Sequence, residues 1–452
     1  MRKVALLGVA LLGACTPAKR PRPDAASVTP PSTWRTTLPG TAPIAANWWE
    51  AFGDPELARL VTAALANNPD IAIAVARVAE ARGTERVARA ARFPTLDAGV
   101  GLIEQRALNA FGTASTGTSL QPVFQSAYEV DLFGRVGRAI DAARLTGDAA
   151  AAAADTARLS VAAATASGYV TLRGLDARIE TVRATIASRG EALRIARSRA
   201  EAGYTSQLEL RQAEAEYAAV TQTLPQLELL ARRQENALAL LTGTPPRPIT
   251  RGRPLGALAP PPIPAGLPSE LLRRRPDIAQ AEATLAASDA SLAAARAQFL
   301  PQLRLTGSTG EVLSSALPNP VGIWSIGASV LAPLFRGGQL RGNYDAATAR
   351  RDQAAFAYQR SVLTAFREVE DALAGVDRLA AQRRALETQR TATAEALRHA
   401  TNRYRAGYSP YLEQLDAQRA LFSAELSLQQ TRADQLNALV ALYQAMGGGW
   451  GG

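Results

Sequence analysis

Two long stretches of the sequence carry apolar residues at alternating intervals of four and three and contain no proline. One stretch lies between Pro122 and Pro225, and the other lies between Pro333 and Pro410. The recurring apolar positions are Leu175, Ile179, Val182 and Ile186 in the first stretch, and Val362, Phe366, Val369, Leu373 and Val376 in the second. This spacing is typical of a coiled-coil seam, although an isolated amphipathic bundle would show the same seam. It predicts two very long helices, over about residues 136–202 and 337–405, each on the order of 100 Å long.

Segments with a period of two precede each long helix. Apolar and polar residues alternate at about residues 95–102, 124–133, 302–308 and 323–334. Strands of about ten residues have the length of membrane-spanning β-strands. The Gly-, Ser- and Thr-rich segments 109–120 and 306–322 are predicted to be the loops of two hairpins. Four strands cannot close a barrel, and an open edge in lipid leaves backbone groups unpaired, so several chains must share one barrel unless the sheet faces water.

The whole pattern occurs twice along the chain. Two segments align at an offset of 204, namely AEAGYTSQLELRQAEAEY from residue 200 and YRAGYSPYLEQLDAQRALF from residue 404. This alignment pairs Gly203 with Gly407 and Glu209 with Glu413. NPDIAIAVARVAEA from residue 68 aligns with RPDIAQAEATLAAS from residue 275, and DLFGRVG resembles PLFRGGQ. One ancestral unit used twice explains these offsets. We predict two structural repeats, 54–243 and 269–452, each with two strands and a long helix pair, joined by a Pro-rich connector at 244–268.

The N-terminus has the features of a lipoprotein signal. MRKVALLGVALLGAC combines two basic residues, a short apolar segment and small residues directly before Cys15, which is the only cysteine of the chain. The apolar segment is too short to span a bilayer as a helix. The pattern resembles a lipobox, which predicts removal of residues 1–14, a covalent lipid on Cys15 and an N-terminal tether at 15–53. An ordinary signal peptide followed by a buried thiol is the alternative.

Composition and charge argue against several other classes. The formal net charge is +10, but the arginines are scattered among Glu, Asp and Gln rather than clustered, so we predict no nucleic-acid partner. His399 is the only histidine, and no phosphate-binding Gly-rich motif follows a strand. Metal sites made of His and Cys and His-based catalytic triads are therefore excluded, and we predict no enzyme activity, no metal site and no cofactor beyond the lipid.

Several motifs, in order, resemble the outer membrane factor family of Gram-negative bacteria, the TolC-like exit ducts. They are NWWEAFGDPELARLVTAALANNPDI, EVDLFGRVGRA, LPSELLRRRPDIAQAE and the AGY…LEQLDAQR segment, and they are most similar to the efflux outer-membrane lipoprotein branch. The resemblance implies an α+β membrane protein, in which a homotrimer forms a twelve-stranded transmembrane β-barrel continuous with a long periplasmic α-helical coiled-coil barrel. It also implies a periplasmic adaptor protein, an inner-membrane pump of the resistance–nodulation–division type and a lipid-anchored location at the outer membrane.

The resemblance also assigns roles to residues at the two Gly segments. Gly203 and Gly407 would form helix-to-helix turns at the periplasmic tip, with positive φ. Glu413 and Asp416 match positions that form acidic rings at the tip constriction. Ser206 and Glu209 fit a capping box, and Pro410 fits a first helical turn.

Tyr404 matches a gating tyrosine of the family, and Glu209 matches its acidic partner. Ser409 stands where the best-known members carry an arginine, and Leu208 stands where they carry a polar residue. We therefore expect the closing contacts at this tip to differ in part from those of the family.

The predicted function is a passive duct, gated at its periplasmic tip, for drugs or other small molecules. A duct for type I protein secretion or for metal export would have the same fold. A periplasmic coiled-coil scaffold is the alternative from another class, and the four alternating segments argue against it because a scaffold does not require paired hairpins.

Overall fold

The computed structural model describes residues 17–18, 20–36, 44–108, 112–264, 268–315 and 317–449. The predicted signal segment 1–14 and the predicted lipid attachment residue Cys15 lie outside the described residues. In the part of the chain that is described, no helix has both the length and the apolar character of a membrane span.

The first half of the chain folds as two helices, two strands and three further helices. Asp54 begins this series, since its side chain caps the first helix by accepting a hydrogen bond from the backbone N–H of Glu56 at 2.9 Å. The elements are α1 (Pro55–Asn67), α2 (Pro69–Ala90), β1 (Thr95–Leu108), β2 (Ala114–Val130), α3 (Arg135–Glu201), α4 (Gln207–Thr221) and α5 (Thr223–Leu241).

The second half repeats this order with one difference. Its elements are α6 (Pro268–Arg274), α7 (Pro276–Ala297), β3 (Gln302–Ser314), β4 (Val321–Leu331), α8 (Gln339–Arg405) and α9 (Tyr411–Ala445). The continuous α9 corresponds to α4 and α5, which are interrupted at Gln222. Pro225 explains the interruption, because it has no N–H to donate to the carbonyl of Thr221.

Both very long helices are present. α3 and α8 each contain 67 residues. α8 ends at residue 405 as predicted, and the other three helix ends lie within two residues of the predicted positions. Val182, Val362 and Val369 of the predicted seam are at most 1% exposed. The seam is thus the buried side of both helices.

The strands are longer than predicted at their outer ends, while at their helical ends β1 and β3 begin as predicted and β2 and β4 are shorter. β1 and β2 pair continuously from Thr95 opposite Ala127 to Leu108 opposite Ala114, and β3 extends to Ser314. The expected loops at 109–120 and 306–322 were therefore placed too wide. Gly, Ser and Thr give no apolar alternation, but the hydrogen bonds of a ladder come from the backbone and do not require it. Residues 131–133 and 332–334, predicted as strand, lie beyond the ends of β2 and β4.

The four strands form one antiparallel sheet in the order β1-β2-β3-β4. The central pair, β2 with β3, joins the two halves of the chain. β1 and β4 are the edge strands, and among the described residues each is paired on one side only.

The two faces of the sheet have opposite character. Asp97, Gln125, Ser308 and Ser325 lie side by side in register, and the hydroxyl oxygens of the two serines are 2.8 Å apart. The other face carries apolar side chains that are strongly exposed. They include Leu96 (74%), Val100 (71%), Trp324 (76%) and Ile326 (84%).

The described chain divides into two compact units, and each takes residues from both halves. The first unit contains the sheet together with 76–90, 135–151, 280–297 and 339–360, as well as the N-terminal residues up to 27. The second contains 28–75, 152–279 and 361–452. The sequence repeat is therefore not a folding unit by itself.

Candidate functional site

The two Gly segments form nearly identical helix-to-helix turns in the second unit. Gly203 and Gly407 both have φ +77°. In the first turn, Tyr204 N–H donates to the carbonyl of Arg199 at 2.8 Å, and in the second, Tyr408 N–H donates to the carbonyl of Arg403 at 2.9 Å. This six-residue closure with a left-handed glycine ends both helices in the same way. The repeat in the sequence is thus a repeat of backbone geometry.

The helices that follow the turns begin differently. Ser206 caps α4, since its hydroxyl oxygen accepts a hydrogen bond from Glu209 N–H at 3.3 Å. Pro410 is the N-cap of α9 rather than a residue of its first turn, so the helix begins one residue later than predicted. Proline at the cap still fits, because that position needs no intrahelical N–H.

Tyr404, at the end of α8, donates a short hydrogen bond from its hydroxyl group to Glu209 Oε1 of α4. Thr205 donates to the other carboxylate oxygen of Glu209. The Tyr404 ring packs against the buried residues Leu210, Tyr411 and Leu415. The predicted partners therefore lie together, and their contact links a helix of the second repeat to a helix of the first.

Arg199 of α3 completes this contact. Its guanidinium carbon lies 5.6 Å from the centroid of the Tyr404 ring, and its Nη1 lies 3.4 Å from the hydroxyl oxygen. We call Tyr404, Glu209 and Arg199 the tip latch, after the closing role at the periplasmic tip that the family resemblance predicts. Burial and the hydrogen bond to Glu209 raise the pKa of Tyr404 to about 12, which keeps its hydroxyl protonated as a donor.

Glu413 is paired within the second turn. Arg403 Nη1 lies 3.0 Å from Glu413 Oε1, and both side chains are partly exposed. Arg403 and Glu413 are the repeat equivalents of Arg199 and Glu209, four residues before and six residues after the glycine. One of the positions at which the copies differ is next to this arginine, where Ala200 in the first copy corresponds to Tyr404 in the second. The negative charge of Glu413 is thus largely offset inside its own turn.

Asp416 is exposed, one turn further along α9. Among the described residues it has no ion-pair partner, in contrast to Glu413. Of the two carboxylates predicted to line a constriction, Asp416 is thus the one without a compensating cation in the part of the chain that is described.

The two departures from the family pattern have visible consequences. Leu208 is 67% exposed, and the hydroxyl oxygen of Ser409 is buried without a hydrogen-bond partner among the described residues. The guanidinium group at the latch comes instead from Arg199, which the sequence analysis missed. The offset of 204, which pairs Arg199 with Arg403, is the signal that would have identified it.

A buried charge cluster lies farther from the turns and was also missed. Glu216 of α4 is 4% exposed, and it accepts a hydrogen bond from Arg419 of α9 at 2.8 Å. Arg189 of α3, which is 5% exposed, lies 3.6 Å from the other oxygen of Glu216. Burial lowers the pKa of Arg189 below its ordinary value. These contacts join three helices close to the latch.

No ligand set for a metal is present in the described residues, since no three His, Cys, Asp or Glu side chains are grouped suitably. His399 lies on α8 beside Arg398, at 3.4 Å from its guanidinium group.

Comparison with known proteins gives matches along most of the chain. A family model described as outer membrane efflux protein matches residues 60–244 and 267–448. The solvent efflux pump outer membrane protein SrpC of Pseudomonas putida is 37% identical over 415 residues, which cover 89% of this chain and 87% of that protein. The pyoverdine export outer membrane protein OpmQ of Pseudomonas aeruginosa is 34% identical over 465 residues, which cover 100% and 97%. The solved open state of the Neisseria gonorrhoeae MtrE outer membrane channel is 31% identical, with a TM-score of 0.79 and coverage of 96% and 98%.

Proposed function

The chain belongs to the outer membrane efflux protein family, and from this membership we propose that three copies form the exit duct of a tripartite efflux system. The fold is TolC-like, and the protein acts in efflux at the outer membrane. Beyond this, we propose how the chains assemble, which partners they bind, which residues form the gate and which cargo passes through the duct.

The amphipathic sheet with two unpaired edges is the observation that carries the proposal. One face is polar and the other exposes large apolar side chains, as expected when one side faces water and the other faces lipid. In lipid, the edges of β1 and β4 would leave backbone groups unsatisfied, at a cost of several kcal/mol for each group. Neighbouring chains would satisfy these edges by closing a common sheet. Three chains of four strands give the twelve strands that the family resemblance implies.

The proposed partners are a periplasmic adaptor protein and an inner-membrane pump of the resistance–nodulation–division type. The tip turns support an adaptor contact, because apolar and aromatic side chains are exposed there without cover from this chain. They are Tyr204 (85%), Leu208 (67%), Tyr408 (80%) and Leu412 (49%). The pump would supply the energy of transport, and the duct would remain passive.

The proposed gate is the tip latch. Tyr404, Glu209 and Arg199 connect α8 with α3 and α4, so their separation would free the helix pair α8–α9 to move. Asp416 would give the constriction its preference for cations, since three chains would present three uncompensated carboxylates there. Glu413, paired with Arg403, would contribute less to that preference.

The proposed cargo is drugs or other small molecules. SrpC is named for solvents and OpmQ for pyoverdine, so similar chains serve chemically different cargoes. Cys15 is proposed to carry the lipid that anchors the N-terminus, on the lipobox pattern of the sequence.

Light scattering of the detergent-extracted mature protein, followed by conductance measurements in planar bilayers, tests this function. The expected result is a particle of three chains, each of about the 47.6 kDa given by the full sequence, that opens discrete channels. A monomer that is soluble without detergent, or a trimer that conducts nothing, would contradict the proposal.

A further inference from the structure

All four strands have their helix-proximal ends at the same edge of the sheet. β1 begins at Thr95 opposite Ala127, close to the end of β2, and β3 begins at Gln302 opposite Leu331, the last residue of β4. The residues directly before β1 and directly after β2 and β4 therefore lie at one level of the first unit.

Large apolar side chains are exposed at three of these four strand ends. We call them the junction belt: Phe93 (70%), Leu132 (60%), Phe133 (49%), Leu334 (89%) and Phe335 (88%). A Leu-Phe pair follows the second strand of each repeat, and glycines with positive φ come shortly after it at Gly134 and at Gly337. These turns begin the long helices while the Leu-Phe side chains stay outside the packed interior.

Three arginines accompany the junction belt. Arg92, Arg138 and Arg336 are exposed, and none of them forms an ion pair with a carboxylate among the described residues. Two of the acidic residues nearby have partners. Asp131 accepts hydrogen bonds from the N–H groups of Val136 and Gly137, at 3.0 and 2.7 Å.

Glu129, a second acidic residue near this edge, pairs with Arg135 at 2.7 Å. Asp97 and Asp141 also lie close to this edge, but the exposed arginines Arg92, Arg138, Arg304 and Arg336 outnumber them. The exposed charge beside the junction belt is therefore mainly positive.

We propose that the junction belt and its three arginines bind anionic phospholipid at the periplasmic leaflet of the outer membrane. The inference rests on the proposed function, since it requires the sheet to cross that membrane. Aromatic side chains at the headgroup level are typical of membrane interfaces, and guanidinium groups pair with phosphate through several hydrogen bonds. The belt thus enters the acyl boundary while the arginines contact the phosphates of the headgroups.

The opposite edge of the sheet has a different character. Glu104 and Glu311 lie near it together with Arg106, so charges of both signs are present there. The segment 112–118 is made of Gly, Thr, Ser and Ala. Apolar side chains are exposed at the outer edge too, for example Leu108 and Val321. The three arginines without ion pairs beside the Leu-Phe pairs therefore distinguish the helical edge, and a chain inserted in the reverse direction would lose the proposed contacts.

Spin labelling locates the belt relative to lipid. A Cys15→Ser background has no other cysteine, so one label can be attached at Phe335→Cys, with Ile326→Cys on the sheet and Leu240→Cys on α5 as controls. In vesicles of phosphatidylcholine and phosphatidylglycerol, collisions with oxygen and with a water-soluble nickel complex are measured. We expect mainly oxygen at 326, mainly nickel at 240, and both at 335.

The outcomes separate this inference from the proposed function. A label at 335 that behaves like the one at 240, while 326 reports lipid, overturns the junction belt and leaves the duct intact. Shielding of 335 from both reagents places it between copies of the chain and also overturns the belt. A label at 326 that behaves like the one at 240 contradicts the membrane-crossing sheet itself.

A second experiment uses the wild-type N-terminus and tests the arginines. The test variant replaces the three belt arginines: Arg92→Gln, Arg138→Gln and Arg336→Gln. The control variant replaces three exposed helix arginines that have no ion pair among the described residues: Arg232→Gln, Arg233→Gln and Arg384→Gln. Native mass spectrometry measures the binding of phosphatidylglycerol and phosphatidylcholine to the detergent-purified protein. Affinity for phosphatidylglycerol should fall roughly fivefold for each belt arginine, with no change for phosphatidylcholine. An equal loss in both triples would show a general effect of charge and overturn the proposal.

Discussion

Replacing Tyr404 by Phe removes a single hydroxyl group from the tip latch and leaves the aromatic ring in place. The ring keeps its contacts with Leu210, Tyr411 and Leu415, so the packing of the tip should survive. What is lost is the hydrogen bond to Glu209 and the weaker contact with Arg199. If the latch holds the helices together, the variant should open more often than the wild type.

The magnitude follows from the partners. A hydrogen bond to a charged group contributes about 1.5–3 kcal/mol. Thr205 still donates to Glu209 in the variant, so its carboxylate does not lose every partner. The lower end of that range applies, and since about 1.4 kcal/mol changes an equilibrium constant tenfold, we expect about a tenfold shift toward the open state for each chain.

The assay is the open probability of single channels in planar bilayers at fixed voltage and salt. Tyr408→Phe is the matched control, because Tyr408 lies in the adjacent turn and is 80% exposed. The control should behave like the wild type. An open probability of Tyr404→Phe equal to that of the wild type would refute the reasoning, because the hydroxyl would then have no part in closure.

The pH dependence gives an independent check of the same group. The pKa of Tyr404 is raised from 10.0 to about 12 in this structure, so the folded tip retains the hydroxyl proton longer than an unfolded chain. The stabilisation is then complete below pH 10 and is lost as the pH rises toward 12. We expect wild-type channels to open across this window, and the Phe variant should lack that step.

Three further changes probe the constriction, the turns and the anchor. Asp416→Ala should raise single-channel conductance and weaken cation preference, with a smaller effect for Glu413→Gln because Arg403 already offsets that charge; equal effects would contradict the assignment. Gly407→Ala should lower the free energy of unfolding by about 1–2 kcal/mol, since φ is +77° there. Gly342→Ala on α8 is the control and should not lower it, because an added Cβ would meet open space. Thermal unfolding compares the two variants. Cys15→Ser should abolish incorporation of labelled palmitate and still yield trimers; label retained in that variant would exclude Cys15 as its site.

The long elements could be predicted from the sequence because proline and apolar spacing act locally. The interval between Pro333 and Pro410 admits one uninterrupted helix, and α8 occupies most of it. The alternation at Leu96, Val100 and Leu102 likewise marks the inner half of β1. In each case the physical cause lies within the segment itself, so no tertiary information was needed.

The outer halves of the strands and the latch could not be predicted in the same way. Residues 114–120 of β2 form a backbone ladder with β1, and residues 119–120 pair with β3 as well, but the Ala, Ser, Thr and Gly residues at 114–119 give no apolar alternation that would indicate it. Arg199 reaches Tyr404 across 205 positions of sequence. Such contacts depend on how α3 packs beside α8, which no local pattern encodes. The interruption at Gln222 could have been predicted, because Pro225 indicates a break in the helix. The prediction of one long partner helix did not take this proline into account.

The near-identity of the two tip turns has a consequence for how such a gate can diversify. Both turns keep the same left-handed glycine and the same backbone closure, while position 200 is Ala and its counterpart at 404 is Tyr. Because the turn occurs twice, the role of keeping the backbone architecture and the role of carrying a closing side chain can belong to different copies. One turn can preserve the architecture while the other acquires a new side chain, and a related chain can retune its closure by exchanging one residue without rebuilding either helix pair.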